Sequence, residues 1–239
     1  LELAIPVLGQ AAVLTLEGAG RVGTDLRGEG RLEVTRQESP ATATLALAWD
    51  GVALHATLHG AGRLAALAGL PGLESLRLDA TAEGPPAALA TRLDFASGEL
   101  TAQAHGTLDL PGRRATLALS AAAPALQLRP DLAWRALALA GTLDGPFATP
   151  QARLDLRLDG LAAGDSALER LEVHAEARTT AATLTATADG LALPGAPPEL
   201  AASLLKLTAE ADLAAPDRPV RFTLSHPLVA LEGTARTAG

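Results

Sequence analysis

The chain has no cysteine, no methionine and no tyrosine, and its aromatic content is 2%, made up of Trp49, Trp134, Phe95, Phe147 and Phe222. Each absence closes something off. A free thiol is a liability in an oxidising compartment, and a chain without one is suited to it. Without tyrosine and without aromatic girdles, an outer-membrane β-barrel is disfavoured. No segment reaches the roughly 18 uncharged apolar residues of a spanning helix. No cluster of lysine and arginine offsets the formal charge of -8, so a polyphosphate is repelled and nucleic-acid binding is disfavoured. The N-terminus shows no basic stretch followed by an apolar core, and the chain begins with Leu1. The expectation is a piece of a longer protein whose targeting or anchoring segment lies outside it.

What is present is leucine and alanine, in period-two runs closed by glycine and proline. Alanine ordinarily favours helix, but here it sits beside Thr, Leu and Val in alternating stretches, and the pattern outranks the propensity. Residues 136–161, ALALAGTLDGPFATPQARLDLRLDGL, show it best. Leu137, Leu139 and Leu143 fall on one face of a first strand, and Leu154, Leu156 and Leu158 on one face of a second, while Arg153, Asp155, Arg157 and Asp159 point the other way. Asp144-Gly145-Pro146 is the expected break between them. A second hairpin reads from Ala41–Trp49 and Val52–His59 around Asp50-Gly51, a dipeptide suited to a two-residue type I′ turn. It places Leu45, Leu47 and Trp49 near Val52, Leu54 and Ala56, with Leu58 on the same face. Similar runs recur at 8–12-residue spacing, about 15 to 18 strands in all, separated by clusters such as Gly18–Gly23 and Gly28-Glu29-Gly30. Leu191–Leu193 reads as one more short strand. Short helical turns are expected at 63–70 and at 198–205. No fixed period has invariant positions and no composition shift marks a boundary, so residues 1–239 read as one quasi-repetitive β domain.

Chemistry-bearing constellations resolve into surface and turn residues. His55 and His59 would be an i, i+4 pair on a helix, but on a strand they stand about 13 Å apart, too far for one metal. Ser225-His226 has no nucleophile elbow around it. The paired carboxylates Glu172 and Glu176, and Asp155 and Asp159, alternate with arginine as on a wet sheet face. The Asp-Gly pairs at 50, 144, 159 and 189 lack the nonapeptide pattern of calcium-binding β-rolls and read as turns. No phosphate-binding glycine motif follows a strand, so no cofactor is expected, and neither is an enzyme.

The apolar face itself must be covered, since each buried leucine contributes about 1.5 to 3 kcal/mol relative to exposure. Two coverings fit the pattern. One is a closed sandwich or solenoid of structural or adhesive use, in which the leucines are ordinary core. The other is a long curved antiparallel sheet forming an open, taco-like trough, whose branched and small aliphatic wall suits a flexible chain; scarce aromatics favour it.

Residues 63–84, RLAALAGLPGLESLRLDATAEG, and again 136–161, resemble the TamB family of translocation and assembly module proteins within the AsmA-like group. Members carry leucine-alternating strands of the form L-x-L-x-G-x-L-x-G, then an alanine-proline turn and an x-L-x-L-x-L run. Leu137, Leu139, Gly141, Leu143, Gly145, Pro150, Leu154, Leu156 and Leu158 occupy those positions here. The resemblance implies an inner-membrane-anchored, periplasmic β-trough that moves phospholipid toward the outer membrane or assists outer-membrane protein and autotransporter assembly with a barrel partner. On that reading the acyl chains meet Leu45, Leu47, Val52, Leu54, Leu58, Leu137, Leu139, Leu143, Leu154, Leu156 and Leu158. About 16 strands at about 4.8 Å would make the trough on the order of 75 Å long.

Overall fold

A computed structural model describes residues 2–7, 10–22, 26–35, 41–62, 75–215 and 217–236. Strand alternation dictates what is seen: the chain is all-β, and every described pairing is antiparallel. The expected helical turn at 63–70 lies outside the described residues. At 198–205 the turn is real but shorter, a single 3₁₀ turn at Pro198–Leu200.

The chain divides into two compact units, Leu1–Leu117 and Ala118–Gly239. Unit 1 contains β1 Glu2–Val7, β2 Gln10–Val22, β3 Leu26–Thr35, β4 Ala41–Trp49, β5 Leu54–Gly62, β6 Leu76–Gly84, β7 Leu89–Ser97 and β8 Leu100–Asp109. Each of these pairs with the next. Strand β9, Arg114–Ala123, crosses the unit boundary. Unit 2 continues with β10 Leu126–Arg129, β11 Leu132–Trp134, β12 Ala136–Pro146, β13 Gln151–Ala163, β14 Ser166–Ala177, β15 Ala181–Asp189, β16 Leu205–Asp212, β17 Val220–His226 and β18 Val229–Ala235. From β12 onward each strand again pairs with its successor.

Several boundaries differ from the sequence reading, each for a local reason. The Asp50-Gly51 hairpin has a four-residue connection, because Trp49 pairs with Leu54 and not with Val52. Asp50 Oδ1 accepts the backbone N–H groups of Val52 and Ala53 at 2.9 and 2.8 Å, and this side-chain cap outcompetes the tight turn. Since the shift is two residues, the leucines keep their face. The break expected at Asp144-Gly145-Pro146 falls later: β12 runs through Pro146, Asp144 pairs with Gln151, and the Thr149 N–H closes the turn onto the Pro146 carbonyl at 3.1 Å. Asp159-Gly160, expected as a turn, lies inside β13. The glycine clusters at 18–23 and 28–30 do not end β2 and β3, because Gly18 pairs with Gly30 and Gly20 with Gly28, so the glycines face one another across the ladder. At 191–193 there is an isolated bridge between Ala167 and Ala192 where a strand was expected.

The register turns alternation into continuous rows. In unit 2, Leu139, Leu156, Val173, Ala186, Leu207, Leu224 and Leu231 stand opposite one another across seven strands. Unit 1 has the corresponding row Leu45, Leu58, Ala80, Leu93 and Ala104. One residue along each strand, the rows are polar: Asp155, His174, Thr185, Thr208, Thr223 and Glu232 form one of them.

The candidate site on the apolar sheet face

Ten of the eleven leucine and valine positions singled out in the sequence lie on the leucine-bearing sheet face of their own unit. Leu47, Leu54 and Leu58 in unit 1, and Leu137, Leu139, Leu143, Leu154, Leu156 and Leu158 in unit 2, are half-buried. Leu45 is 45% exposed. Register brings Leu45 opposite Leu58, Leu137 opposite Leu158, and Leu139 opposite Leu156. Val52 is the exception: it sits in the hairpin connection, 73% exposed, because the Asp50 cap moves it off the strand.

These faces are only partly withdrawn from water. Among the described residues the buried apolar side chains are Leu89, Ala115, Ala123 and Leu168, while Leu93, Leu228, Val229 and Leu231 join Leu45 in standing exposed. A sandwich core would take its face leucines to near-complete burial. On this face of unit 2 there is a hollow of about 320 Å³ bounded by Ala152, Leu154, Ala177, Ala182, Leu184 and Val220. Sequence reading missed it, since its floor is alanine and alanine alone gives no signal; only cross-strand register gathers these methyls into one place.

The opposite face carries the charge. A larger hollow of about 530 Å³ lies there, walled by Asp155, Arg157, Glu172 and His174. Its charges answer one another, with His174 Nδ1 2.6 Å from Asp155 Oδ1 and Arg157 Nη1 3.7 Å from Glu172 Oε1. Arg153 donates to Glu176 through both Nε and Nη2, which holds the Glu176 carboxyl below its ordinary range. The hydrogen bond to Asp155, then its charge and the neighbouring Glu176, raise His174. In unit 1, Asp79 stands directly opposite Asp94, a like-charge pair that would repel. His59 and Arg77 at 2.6 Å bind Asp79, Arg92 at 2.6 Å binds Asp94, and both carboxyls are accordingly lowered.

Among the described residues, Ser225, His226, His55 and His59 are not gathered into one cluster. Ser225 and His226 are neighbours on β17 and therefore face opposite sides of the sheet, Ser225 exposed and His226 buried. His55 lies 3.5 Å from Glu83 and His59 pairs with Asp79, each across to β6, so the two histidines serve separate partners. Among the described residues no group of three or more His, Cys, Asp or Glu is placed to hold a metal ion, and no helix is long and apolar enough to cross a membrane.

No family model, curated protein or solved structure matches the chain.

Proposed function

We propose that the apolar sheet faces bind phospholipid acyl chains, and that the protein is a non-enzymatic segment of an envelope bridge carrying phospholipid between two membranes. The observation that carries this reading is the seven-residue row from Leu139 to Leu231, unbroken by any polar side chain and left partly open to water. Six strand spacings make it about 29 Å long. Each methylene that moves from water onto such a row contributes about 0.8 kcal/mol, so a chain of modest length is held without any directional contact. Weak, non-directional holding is what a conduit needs, since a cargo must leave as readily as it enters.

The resemblance to TamB-like proteins supports the same reading. On that resemblance the proposal extends to a periplasmic protein, anchored in the inner membrane and working with an outer-membrane barrel partner of the translocation and assembly module. A photoreactive amino acid at Leu156, activated in cells, tests the proposal. A phospholipid adduct is expected; a polypeptide adduct would support assistance to outer-membrane protein assembly instead, and no adduct at Leu156 with efficient labelling at exposed Val52 would refute both.

A further inference from the structure

One row on the apolar face of unit 2 differs from its neighbours in size. Beginning at Leu143, it continues as Ala152, Ala177, Ala182 and Ala211 before reaching Val220. Four methyls in succession between two branched side chains make a ledge, and Leu154 and Leu184 of the adjacent row wall it on one side. The 320 Å³ hollow is this ledge. From β13 to β17 it crosses four strand spacings, about 19 Å at about 4.8 Å each. An extended chain of single bonds advances about 1.2 Å per bond, the scale set by three backbone bonds to roughly 3.5 Å, so about 16 bonds fit.

The lining chooses between occupants. A polypeptide lying here would bring amides against hydrocarbon and leave their hydrogen bonds unmade, whereas an acyl chain has none to lose. Charge at the margin then chooses the head. The ledge residue Ala177 passes into Arg178, and Val220 is preceded by Arg218 and Pro219. Arg178 shares the Glu176 carboxylate at 3.6 Å, Asp217 lies 3.5 Å from Arg236, and Asp212 Oδ1 accepts the N–H groups of Ala214 and Ala215. The exposed Arg218 has no carboxylate partner among the described residues, and its backbone is held at φ +38, in the left-handed region a non-glycine residue adopts only at a cost.

We infer that the alanine ledge of unit 2 holds a single long-chain carboxylic acid of about 16 carbons, lying across the strands with its head at Arg218. This rests on the lipid reading above and adds to it the number, length and direction of the chain. Carboxyl-labelled palmitate is titrated into the full chain and followed by NMR, beside decanoate, docosanoate and uncharged hexadecanol. Palmitate binds most tightly. Ala182→Leu, which fills the ledge, weakens it by about tenfold or more, Thr185→Leu in the polar row of the opposite face does not, and Arg218→Gln weakens palmitate several-fold while leaving hexadecanol unchanged. A photoreactive palmitate, digested and mapped by mass spectrometry, marks residues 177–184 or 209–220, which keeps the inference testable should Ala182→Leu misfold. Equal binding by the two leucine variants, no preference among chain lengths, or labels spread over both faces would overturn it. Phospholipid captured at Leu156 with no palmitate on the ledge would overturn this inference alone; if neither binds, both readings fall.

Discussion

Truncating leucines in unit 1 distinguishes an open sheet face from a sealed core. Leu→Ala removes three carbons, about 2.4 kcal/mol if all are fully buried. Leu89 is 3% exposed and leaves a cavity when truncated, so Leu89→Ala is expected to cost about 3 to 4 kcal/mol. Leu45 is 45% exposed, so only about half of its transfer term is at stake, roughly 1.3 kcal/mol, and water fills the space without a cavity penalty. Leu93, 37% exposed and in the same cross-strand row, should fall close to Leu45. The gap between Leu89→Ala and Leu45→Ala is therefore about 2 kcal/mol, which at an m-value of about 2 kcal/mol/M separates the urea midpoints by about 1 M. Trp49 and Trp134 lie in different units, so a Trp134→Phe background leaves Trp49 fluorescence to report on unit 1. If Leu45→Ala costs as much as Leu89→Ala, the row is covered in solution and the open-face argument fails.

His174 is raised above its ordinary value of 6.5, chiefly by its hydrogen bond to Asp155, so the stability it contributes is full below that value and is lost as pH rises through the folded-state value. Proton NMR should place its titration above 6.5, and a His174→Gln variant should lose less stability than the parent between mildly acidic and mildly basic pH; a titration at or below 6.5 would contradict the pairing. Asp159 is held low by Arg157 and then Arg170, so its contribution is present above 3.8 and fades as pH falls through the depressed value, an acid dependence that Arg157→Ala should weaken. Gly106→Ala would drive a methyl into the Thr116 carbonyl oxygen and to 2.9 Å from Leu117 Cα, costing about 2 kcal/mol or more by urea unfolding; a neutral effect would mean these backbones do not approach so closely. Gly233→Ala meets the Phe222 ring at 2.8 Å from Cε1, and Phe222→Leu in the same chain should recover part of the loss, a coupling that additive effects would rule out.

Alternation made most strands legible because a one-sided sheet must repeat every second residue, and Leu137, Leu139, Leu154 and Leu156 show the same face in the sequence and in the structure. Strand ends were harder. Gly18 and Gly20 look like breaks until their partners Gly30 and Gly28 are known, and Asp159-Gly160 carries the letters of a turn inside a thirteen-residue strand. Val52 was misplaced because the Asp50 carboxylate, reaching two backbone amides, sets the hairpin length, and no local pattern records that reach. The alanine ledge depends on which of many alanines become neighbours, information that exists only in register. Arg218 stands out only through its backbone angle and the pairing of the acids around it.

Within each unit nearly every strand finds its partner in the next one along the chain, most of them through a short connection, with longer links at 63–75 and 190–204. No pairing of this kind must wait for a distant segment, so folding can proceed as a zipper, each hairpin templating the one after it. The same wiring makes sheet length a heritable variable. Deleting or duplicating two successive strands restores both chain direction and facing, and leaves every other rung of the ladder where it was. A protein built this way can be lengthened or shortened to match the distance it has to cover, one hairpin at a time, with no new fold to invent.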